Sequence, residues 1–281
     1  MTFPTISMLN QIFDSSEQCI QFLYDHKIIY QEMICPKHKV NMNKNDKRWR
    51  CTKRDCNKQF SVLHQSIFAN SKFEPNQILQ IMYLKLANVP STSIQLLTGH
   101  LSATIAQYMS IFREIIADLV NQNIQMIGGE GIIVEINETL VSRKKNPWIS
   151  KQGVERTGKK RMFSEMILGR TSRTLLESIK KNIYPGSIII SDCWAAYESI
   201  GTKLKMDHMT VDHSKNFKDA ITGAHTNHAE AMWYALKRKI PNNERNPDKI
   251  DNYIFEFMWR RQNKNNAWEA FLKCLVDVSY I

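Results

Sequence analysis

The sequence lacks any apolar run of the length that crosses a membrane, and its first residues lack the basic-then-apolar pattern of a secretory signal. It also lacks the dense, evenly spaced cysteines of a disulfide framework, because three of its six cysteines cluster and three are scattered. These absences predict a soluble protein in a reducing intracellular compartment, the cytoplasm of a bacterium or the nucleus of a eukaryote. With 281 residues, the chain is long enough for one large domain or for two or three small ones.

Acidic residues are outnumbered in this chain. It has 38 Lys and Arg against 27 Asp and Glu, a formal net charge of +11 and a sequence pI near 9.3. Such an excess favours a polyanionic partner, since Lys and Arg gain free energy by displacing counterions from phosphates. The same balance also arises in a merely basic protein from an AT-rich genome, in which Lys, Asn and Ile codons accumulate.

Residues 31–70 carry two short pairs of metal-ligating side chains separated by about a dozen residues. The pairs are Cys35 with His38 and Cys51 with Cys56, which is the spacing of a zinc ribbon. Four protein ligands leave no open position, so we expect a structural Zn²⁺. The alternative is a surface histidine beside free thiols. Many lysines and arginines surround the ligands, which favours contact with DNA.

The segments 1–30 and 71–127 are predicted to be helical. Pro75 suits a first helical turn, and a short helix is expected to stop at Gly99 before a longer one starts at Ser102. A short helix, a Gly-containing turn and a second helix are consistent with a helix-turn-helix, whose second helix enters the major groove. Many helical bundles share this pattern.

Residues 128–281 have an α/β pattern with polar residues at the ends of apolar strands. One strand spans 131–139 and carries Glu135, and another spans 187–192 and ends at Asp192. A helix beginning near His225, Asn227 and His228 then carries Glu230, and its exposed N–H groups favour phosphate or carboxylate neighbours. We expect residues 143–161 to form a basic loop or solvated hairpin, and two amphipathic C-terminal helices to pack on the sheet.

Four blocks in this order, 134–139, 191–197, 211–217 and 222–233, resemble the signature blocks of Merlin-like DDE transposases and their bacterial insertion-sequence relatives. The resemblance implies a ribonuclease-H-like mixed sheet flanked by helices. It also implies three acidic residues that hold two Mg²⁺ or Mn²⁺ ions and act on the DNA of terminal inverted repeats and target sites. A homo-oligomer assembled on DNA is expected.

The residues that match the acidic trio are Asn137, Asp192 and Glu230, so the first position departs from the family pattern. An amide offers a hard cation one neutral oxygen, whereas aspartate offers a charged, two-oxygen ligand. Glu135 and Glu138 are the possible substitutes on the same strand. Two residues along a strand span about 6–7 Å, which is large against metal-ligand tolerances, so rescue by either glutamate is not expected.

Three functions are therefore compatible with the sequence. The first is a transposase-type DNA-binding protein with little or no cleavage activity, and the second is a fully active transposase. The third is a non-catalytic zinc-ribbon regulator derived from a transposase, with the sheet as a scaffold for dimerisation. In each case the candidate DNA-contacting residues are basic: Arg50, Arg54, Lys58, Arg143, Lys144, Lys145, Lys237 and Arg238.

Overall fold

The structure is a computed structural model that describes residues 3–140, 149–157, 159, 161–167, 169–212, 225–245 and 247–278. The chain divides into two compact units. The first comprises 1–119 together with 263–281, and the second comprises 120–262. Within the described ranges, no helix has both the length and the apolarity that crossing a membrane requires.

The first unit combines helices with a small sheet. The N-terminal elements are α1 Ile6–Asp14, α2 Ser16–Asp25, β1 Asn43–Asn45, β2 Arg48–Arg50, β3 Gln59–Ser61, α3 Pro75–Leu86, α4 Ser91–Thr98 and α5 Ser102–Gln122. The strands β1, β2 and β3 form an antiparallel sheet in that order, and Trp49 of β2 is buried.

The predicted helical boundaries of this unit follow from local chemistry. Ser15 accepts a hydrogen bond from the backbone N–H of Gln18 (3.3 Å) and so caps α2. Pro75 occupies the first turn of α3. Gly99 ends α4 in the left-handed conformation (φ 71°), which lets the chain turn into α5. The short helix, glycine turn and long helix are confirmed, while their reading of DNA stays a prediction.

The strands of the second unit are β4 Ile127–Gly128, β5 Ile133–Leu140, β6 Ile149–Glu155, β7 Met162–Ile167, β8 Ile183–Tyr184, β9 Ile188–Asp192 and β10 Asp207–Val211. Five of them form a mixed sheet with the order β10-β9-β5-β6-β7, and β4 pairs separately with β8. The helices are α6 Ser172–Asn182, α7 Ile200–Leu204, α8 Asn227–Lys239 and α9 Pro247–Gln262, with α10 Ala267–Asp277 belonging to the first unit. This arrangement confirms the predicted α/β fold class.

Each face of the sheet is covered by a separate apolar cluster. On one face, Val134 and Ile136 of β5 pack in a cluster with Leu175 and Ile179 of α6. On the other face, Trp233 and Leu236 of α8 pack in a cluster with residues of β6, β7 and α9. Because side chains alternate along a strand, β5 presents Val134 and Ile136 to one face and Glu135 and Asn137 to the other.

The segment 143–161 is not the solvated basic loop that its polarity suggested. Residues 141–148 lie outside the described part, but 149–155 form β6, which pairs antiparallel with β5 and β7 in the interior of the sheet. Lys151 and Gln152 are fully buried there. Gly153 is required because the Phe163 ring occupies the space of a side chain. The hydrophobic pattern failed here because position in the sheet, not apolar composition, buries this strand.

The last amphipathic helix also packs differently from the expectation that it covers the sheet. Its Trp268 ring lies 5.5 Å from the ring of Tyr83 in α3, and Phe271 stacks on Phe112 of α5 at 4.8 Å. Of the two C-terminal helices, α9 is the one that packs on the sheet, against β7. An amphipathic pattern shows that a helix buries one face, but it does not identify what that face contacts.

Candidate functional sites

The predicted zinc ligands come together in the first unit. The ligand atoms of Cys35, His38, Cys51 and Cys56 all lie within 4.8 Å of one another. The Sγ atoms of Cys35 and Cys56 are 3.7 Å apart, and Cys51 Sγ lies 3.7 Å from His38 Nδ1. Tetrahedral Zn²⁺ with bonds of about 2.3 Å to sulfur holds thiolates about 3.8 Å apart. The four side chains therefore fit a closed Cys₃His zinc site.

An aspartate that sequence reasoning did not single out supports this cluster. His38 directs Nδ1 toward Cys51, and its Nε2 lies 3.2 Å from Oδ2 of Asp55. A histidine ligand commonly donates its other ring N–H to a carboxylate, which fixes the tautomer and the ring orientation. The pKa of the Asp55 carboxyl is lowered, chiefly by a hydrogen bond from the backbone N–H of Asp55 itself and then by the charges of His38 and Lys37.

The candidate DNA-contacting residues fall into three groups. Arg50, Arg54 and Lys58 are exposed on the zinc-ligand segment of the first unit. On α8, Arg238 is exposed and stacks over the Tyr234 ring at 5.7 Å, whereas Lys237 is half-buried. The remaining predicted contacts lie outside the described residues: Arg143, Lys144 and Lys145.

Asn137 and Asp192 lie on neighbouring parallel strands of the second unit. The register pairs Glu135 of β5 with Ile190 of β9. Two residues further along each strand, Asn137 is level with Asp192 and faces the same side of the sheet. Both side chains are half-buried, and the Trp194 N–H donates to Asp192 Oδ1 at 3.2 Å. The carboxyl ends of parallel strands are where α/β sheets bring polar groups together.

Glu230 enters from the helix that covers this face. It is exposed in the first turn of α8, where Thr226 Oγ1 donates to its Oε1 at 3.1 Å, and α8 packs against β5 and β6. Among the residues that the structure describes, neither Asp192 nor Glu230 belongs to a group of three or more His, Cys, Asp or Glu ligand atoms within 4.8 Å of one another. As a donor set, the carboxylates of Asp192 and Glu230 with the neutral amide of Asn137 would fit a two-ion magnesium site poorly.

Glu135, one of the two possible substitutes, is bound to the start of α8. Its carboxylate is fully buried, and its Oε2 accepts hydrogen bonds from the backbone N–H groups of His228 (2.9 Å) and Ala229 (3.3 Å). Its Oε1 lies 2.8 Å from Nδ1 of His228 and 3.4 Å from Nδ1 of His225. The expected carboxylate neighbour of this helix start is therefore Glu135, which lies 93 residues away in sequence.

Glu138, the other possible substitute, faces the opposite side of the sheet. Its side chain is 2% exposed, and its Oε2 lies 3.4 Å from Nη2 of Arg170. Lys151, its cross-strand partner, donates from Nζ to the carbonyl of Leu175 at 2.8 Å. Burial raises the pKa of Glu138, with a further contribution from the charge of Asp192 and against the attraction of Lys151.

Gln152 is a polar residue of this region that the sequence did not reveal. It lies directly opposite Asn137 in the β5–β6 register, is fully buried, and makes no hydrogen bond through either amide atom within the described residues. Its only sequence signal was its place in a polar segment, which pointed to solvent. Asn137 and Gln152 are therefore two neutral amides paired on one face of the sheet, at the position that the sequence resemblance assigns to a carboxylate.

Comparison with known proteins finds one matching family and several similar solved structures. Residues 130–262 match the family described as ISXO2-like transposase domain. This match confirms the resemblance to a transposase family that the four sequence blocks indicated. No curated protein sequence matches the chain.

Similar solved structures include the HTLV-2 integrase catalytic core domain in complex with magnesium, in a trimeric form. It has 16% identity and a TM-score of 0.33, over 47% of this chain and 84% of that chain. Another is the simian T-cell lymphotropic virus intasome in complex with PP2A regulatory subunit B56 gamma. It has 16% identity and a TM-score of 0.34, over 64% of this chain and 67% of that chain.

Proposed function

We propose that this protein is a transposase-type DNA-binding protein whose metal-dependent cleavage and strand transfer are strongly weakened at Asn137. The observation that carries the proposal is the register of β5 and β9, which brings Asn137 level with Asp192 on the face covered by α8. The match of residues 130–262 to the ISXO2-like transposase domain family supports the transposase-type part of the proposal.

The weakening follows from the charge that phosphodiester chemistry needs. Two divalent ions stabilise the attacking and leaving oxygens in such reactions, and a trio of carboxylates holds the ions. With Asn137 in the trio, only Asp192 and Glu230 supply negative charge. An amide oxygen binds a hard cation more weakly than a carboxylate, so the chain's own residues are one ligand charge short.

Neither neighbouring glutamate compensates for this loss. Glu135 lies on the same face of the sheet as Asn137, but two N–H groups of α8 and the rings of His225 and His228 surround its carboxylate. Glu138 lies on the opposite face, beside Arg170, and burial raises its pKa. These contacts argue against the fully active alternative.

Binding to DNA does not need the missing carboxylate. The chain has a net charge of +11, and Arg50, Arg54 and Lys58 are exposed beside the zinc cluster. Phosphate contacts by such residues release counterions and position a protein on the duplex. The proposed partners are the terminal inverted repeats and target DNA of a mobile element, bound by a homo-oligomer with Zn²⁺ in the first unit.

The decisive experiment compares the wild type with Asn137→Asp in nicking and strand-transfer assays with Mg²⁺ and Mn²⁺. We expect the variant to gain activity at least about 100-fold, since losing even an outer-shell partner of a metal site commonly costs 10–100-fold. Asn123→Asp adds the same charge at an exposed position and should gain nothing. Adding Asp192→Asn to Asn137→Asp should abolish the gain.

Other outcomes would reject the proposal in different ways. Equal, robust activity of wild type and Asn137→Asp would establish the fully active alternative. If both proteins bind DNA and neither cuts it, the non-catalytic regulator is the correct function. If the zinc-loaded protein does not bind DNA at any salt concentration tested, all three candidate functions are contradicted.

A further inference from the structure

A buried carboxylate and two imidazoles form a second cluster, apart from the cysteine site. The ligand atoms of Glu135, His225 and His228 lie within 4.8 Å of one another, and they are the other such group in the described part of the chain. Glu135 projects from the middle of β5, and the histidines flank the first residue of α8. The cluster therefore joins a central strand to the helix that carries Glu230.

The carboxylate divides its two oxygens between different partners. Oε2 accepts the N–H groups of His228 and Ala229, as a capping side chain does at a helix start. Oε1 is directed instead at the two ring nitrogens, 2.8 Å from His228 Nδ1 and 3.4 Å from His225 Nδ1. The helix cap accounts for Oε2 alone, and one charged oxygen is left facing two imidazoles.

The spacing of these atoms suits a metal ion. Nitrogen and carboxylate ligands bind Zn²⁺ at about 2.0–2.2 Å, and a tetrahedron of such bonds separates the ligand atoms by about 3.4 Å. The distance from Glu135 Oε1 to His225 Nδ1 has this value. The distance to His228 Nδ1 is shorter, but the His228 side chain is 55% exposed and has room to shift by the few tenths of an ångström required.

The surroundings supply a further polar group. Gln152 lies on the same face of the sheet, two register pairs beyond Val154, the partner of Glu135, and is fully buried. Within the described residues, its amide nitrogen and oxygen have no hydrogen-bond partner. A buried side-chain amide without a hydrogen-bond partner is uncommon, and a water molecule bound to a metal ion could form the hydrogen bond that the Gln152 amide needs.

We propose that Glu135, His225 and His228 form a mononuclear site for a divalent transition metal ion. Imidazole nitrogen with one carboxylate suits Zn²⁺, Mn²⁺ or Co²⁺ rather than Mg²⁺, which prefers oxygen ligands. The bound ion links β5 to the start of α8 and so positions Glu230, two residues beyond His228. The inference rests on these side chains and does not depend on the proposed function.

The test is titration of the full-length, metal-free protein with Co²⁺, followed by absorption spectroscopy. We expect two bound equivalents. The cysteine cluster should give intense thiolate-to-cobalt bands, whereas the histidine site, which has no sulfur ligand, should give only weak d–d bands. Glu135→Gln and His228→Ala should each weaken the second equivalent by at least about 100-fold and leave the first unchanged.

Two control variants make the result specific. His208→Gln removes an imidazole of the same unit that contacts Ser191 and lies outside the cluster, so both equivalents should remain. Asp192→Asn should likewise retain the second equivalent. If Asp192→Asn abolishes it while Glu135→Gln does not, the ion belongs to the acidic trio and the inference is wrong.

Binding of a single Co²⁺ equivalent, or a second equivalent unaffected by both Glu135→Gln and His228→Ala, would also overturn the proposal. Circular dichroism and the thiolate band report whether each variant is folded. Should Glu135→Gln unfold the second unit, His228→Ala decides the question, because this half-exposed side chain contributes little packing.

Discussion

A buried ion pair at the end of β6 allows a quantitative test of how the second unit is held together. Glu155 is 3% exposed and accepts hydrogen bonds from Arg161 Nε (3.0 Å) and Nη2 (2.7 Å). It also accepts the backbone N–H groups of Arg161 (2.9 Å) and Gly128 (2.8 Å). Arg161 in turn donates to the carbonyls of Met126 and Gly128, both at 3.2 Å. The pair therefore fastens the β6–β7 hairpin to the segment that leads into β5.

The change Glu155→Ala should lower the free energy of unfolding by about 3–5 kcal/mol, the usual cost of removing one partner of a buried ion pair. Two backbone N–H groups and the guanidinium lose their acceptor in the variant. For a unit of this size, about 2–4 °C per kcal/mol converts to a melting temperature lower by about 6–20 °C. Differential scanning calorimetry measures this shift on the zinc-loaded protein.

The chain provides a matched pair as a control. Arg173 and Glu177 also form a 2.9 Å ion pair, but their side chains are 87% and 66% exposed. Glu177→Ala should shift the melting temperature by about 2 °C or less, since exposed pairs contribute little. Equal shifts for the two variants would refute the reasoning, because burial would then make no difference to the stability of these pairs.

The pH dependence gives a second, independent check on Glu155. Burial alone would raise its pKa, but the Arg161 side chain and the N–H groups of Gly128 and Arg161 together lower it. Because the folded-state pKa is lowered, the stabilisation is fully present above the unfolded-state pKa of about 4.3 and is lost as the pH falls through the folded-state pKa. The difference between wild type and Glu155→Ala should therefore narrow in acid, and a difference that widens would contradict the account.

Three further predictions follow from single side chains. Burial lowers the pKa of Lys151 to about 7, so the unfolded chain binds more protons above that pH. Wild type should gain about 2 kcal/mol relative to Lys151→Met between pH 7 and 9 in urea titrations, and a loss over this range would be inconsistent with a buried amine. Asp55→Asn should weaken zinc binding at His38 about 10-fold in chelator competition, and unchanged affinity would show that the carboxylate does not orient the ring. In the zinc-loaded protein, iodoacetamide should modify exposed Cys193 but not Cys19, because burial raises the pKa of the Cys19 thiol to about 12. Mass spectrometry of the peptides measures this, and modification of Cys19 before Cys193 would contradict the prediction.

Much of the candidate site was predictable because its signals are local. The apolar runs that become β5 and β9 each carry a polar residue near one end, and the helix carrying Glu230 has its own periodicity. The cysteine and histidine spacing predicts a four-ligand cluster for the same reason, since each ligand pair lies within one short turn. Asn137 was recognisable as a departure from the family pattern at the level of single residues.

The roles of the neighbouring residues were not predictable in this way. Strand alternation puts Glu135 and Glu138 on opposite faces, but it does not show that α8 meets one and Arg170 the other. The contact between Glu135 and His228, 93 positions apart, depends on where α8 packs against the sheet. No local sequence pattern specifies that packing. The polar composition of β6 likewise led to the wrong prediction of a solvated segment. Its polar side chains are buried because β5 and β7 flank the strand.

The amino-acid sequence by itself determined the ligand types, the strand-forming runs and the amide at position 137, since each depends on residues close together along the chain. The tertiary structure decided which carboxylates meet which bases and which helix covers which face of the sheet. Burial and electrostatic contact arise between distant segments, so only the folded chain could show that Glu135 lies among two histidines while Glu138 lies beside an arginine.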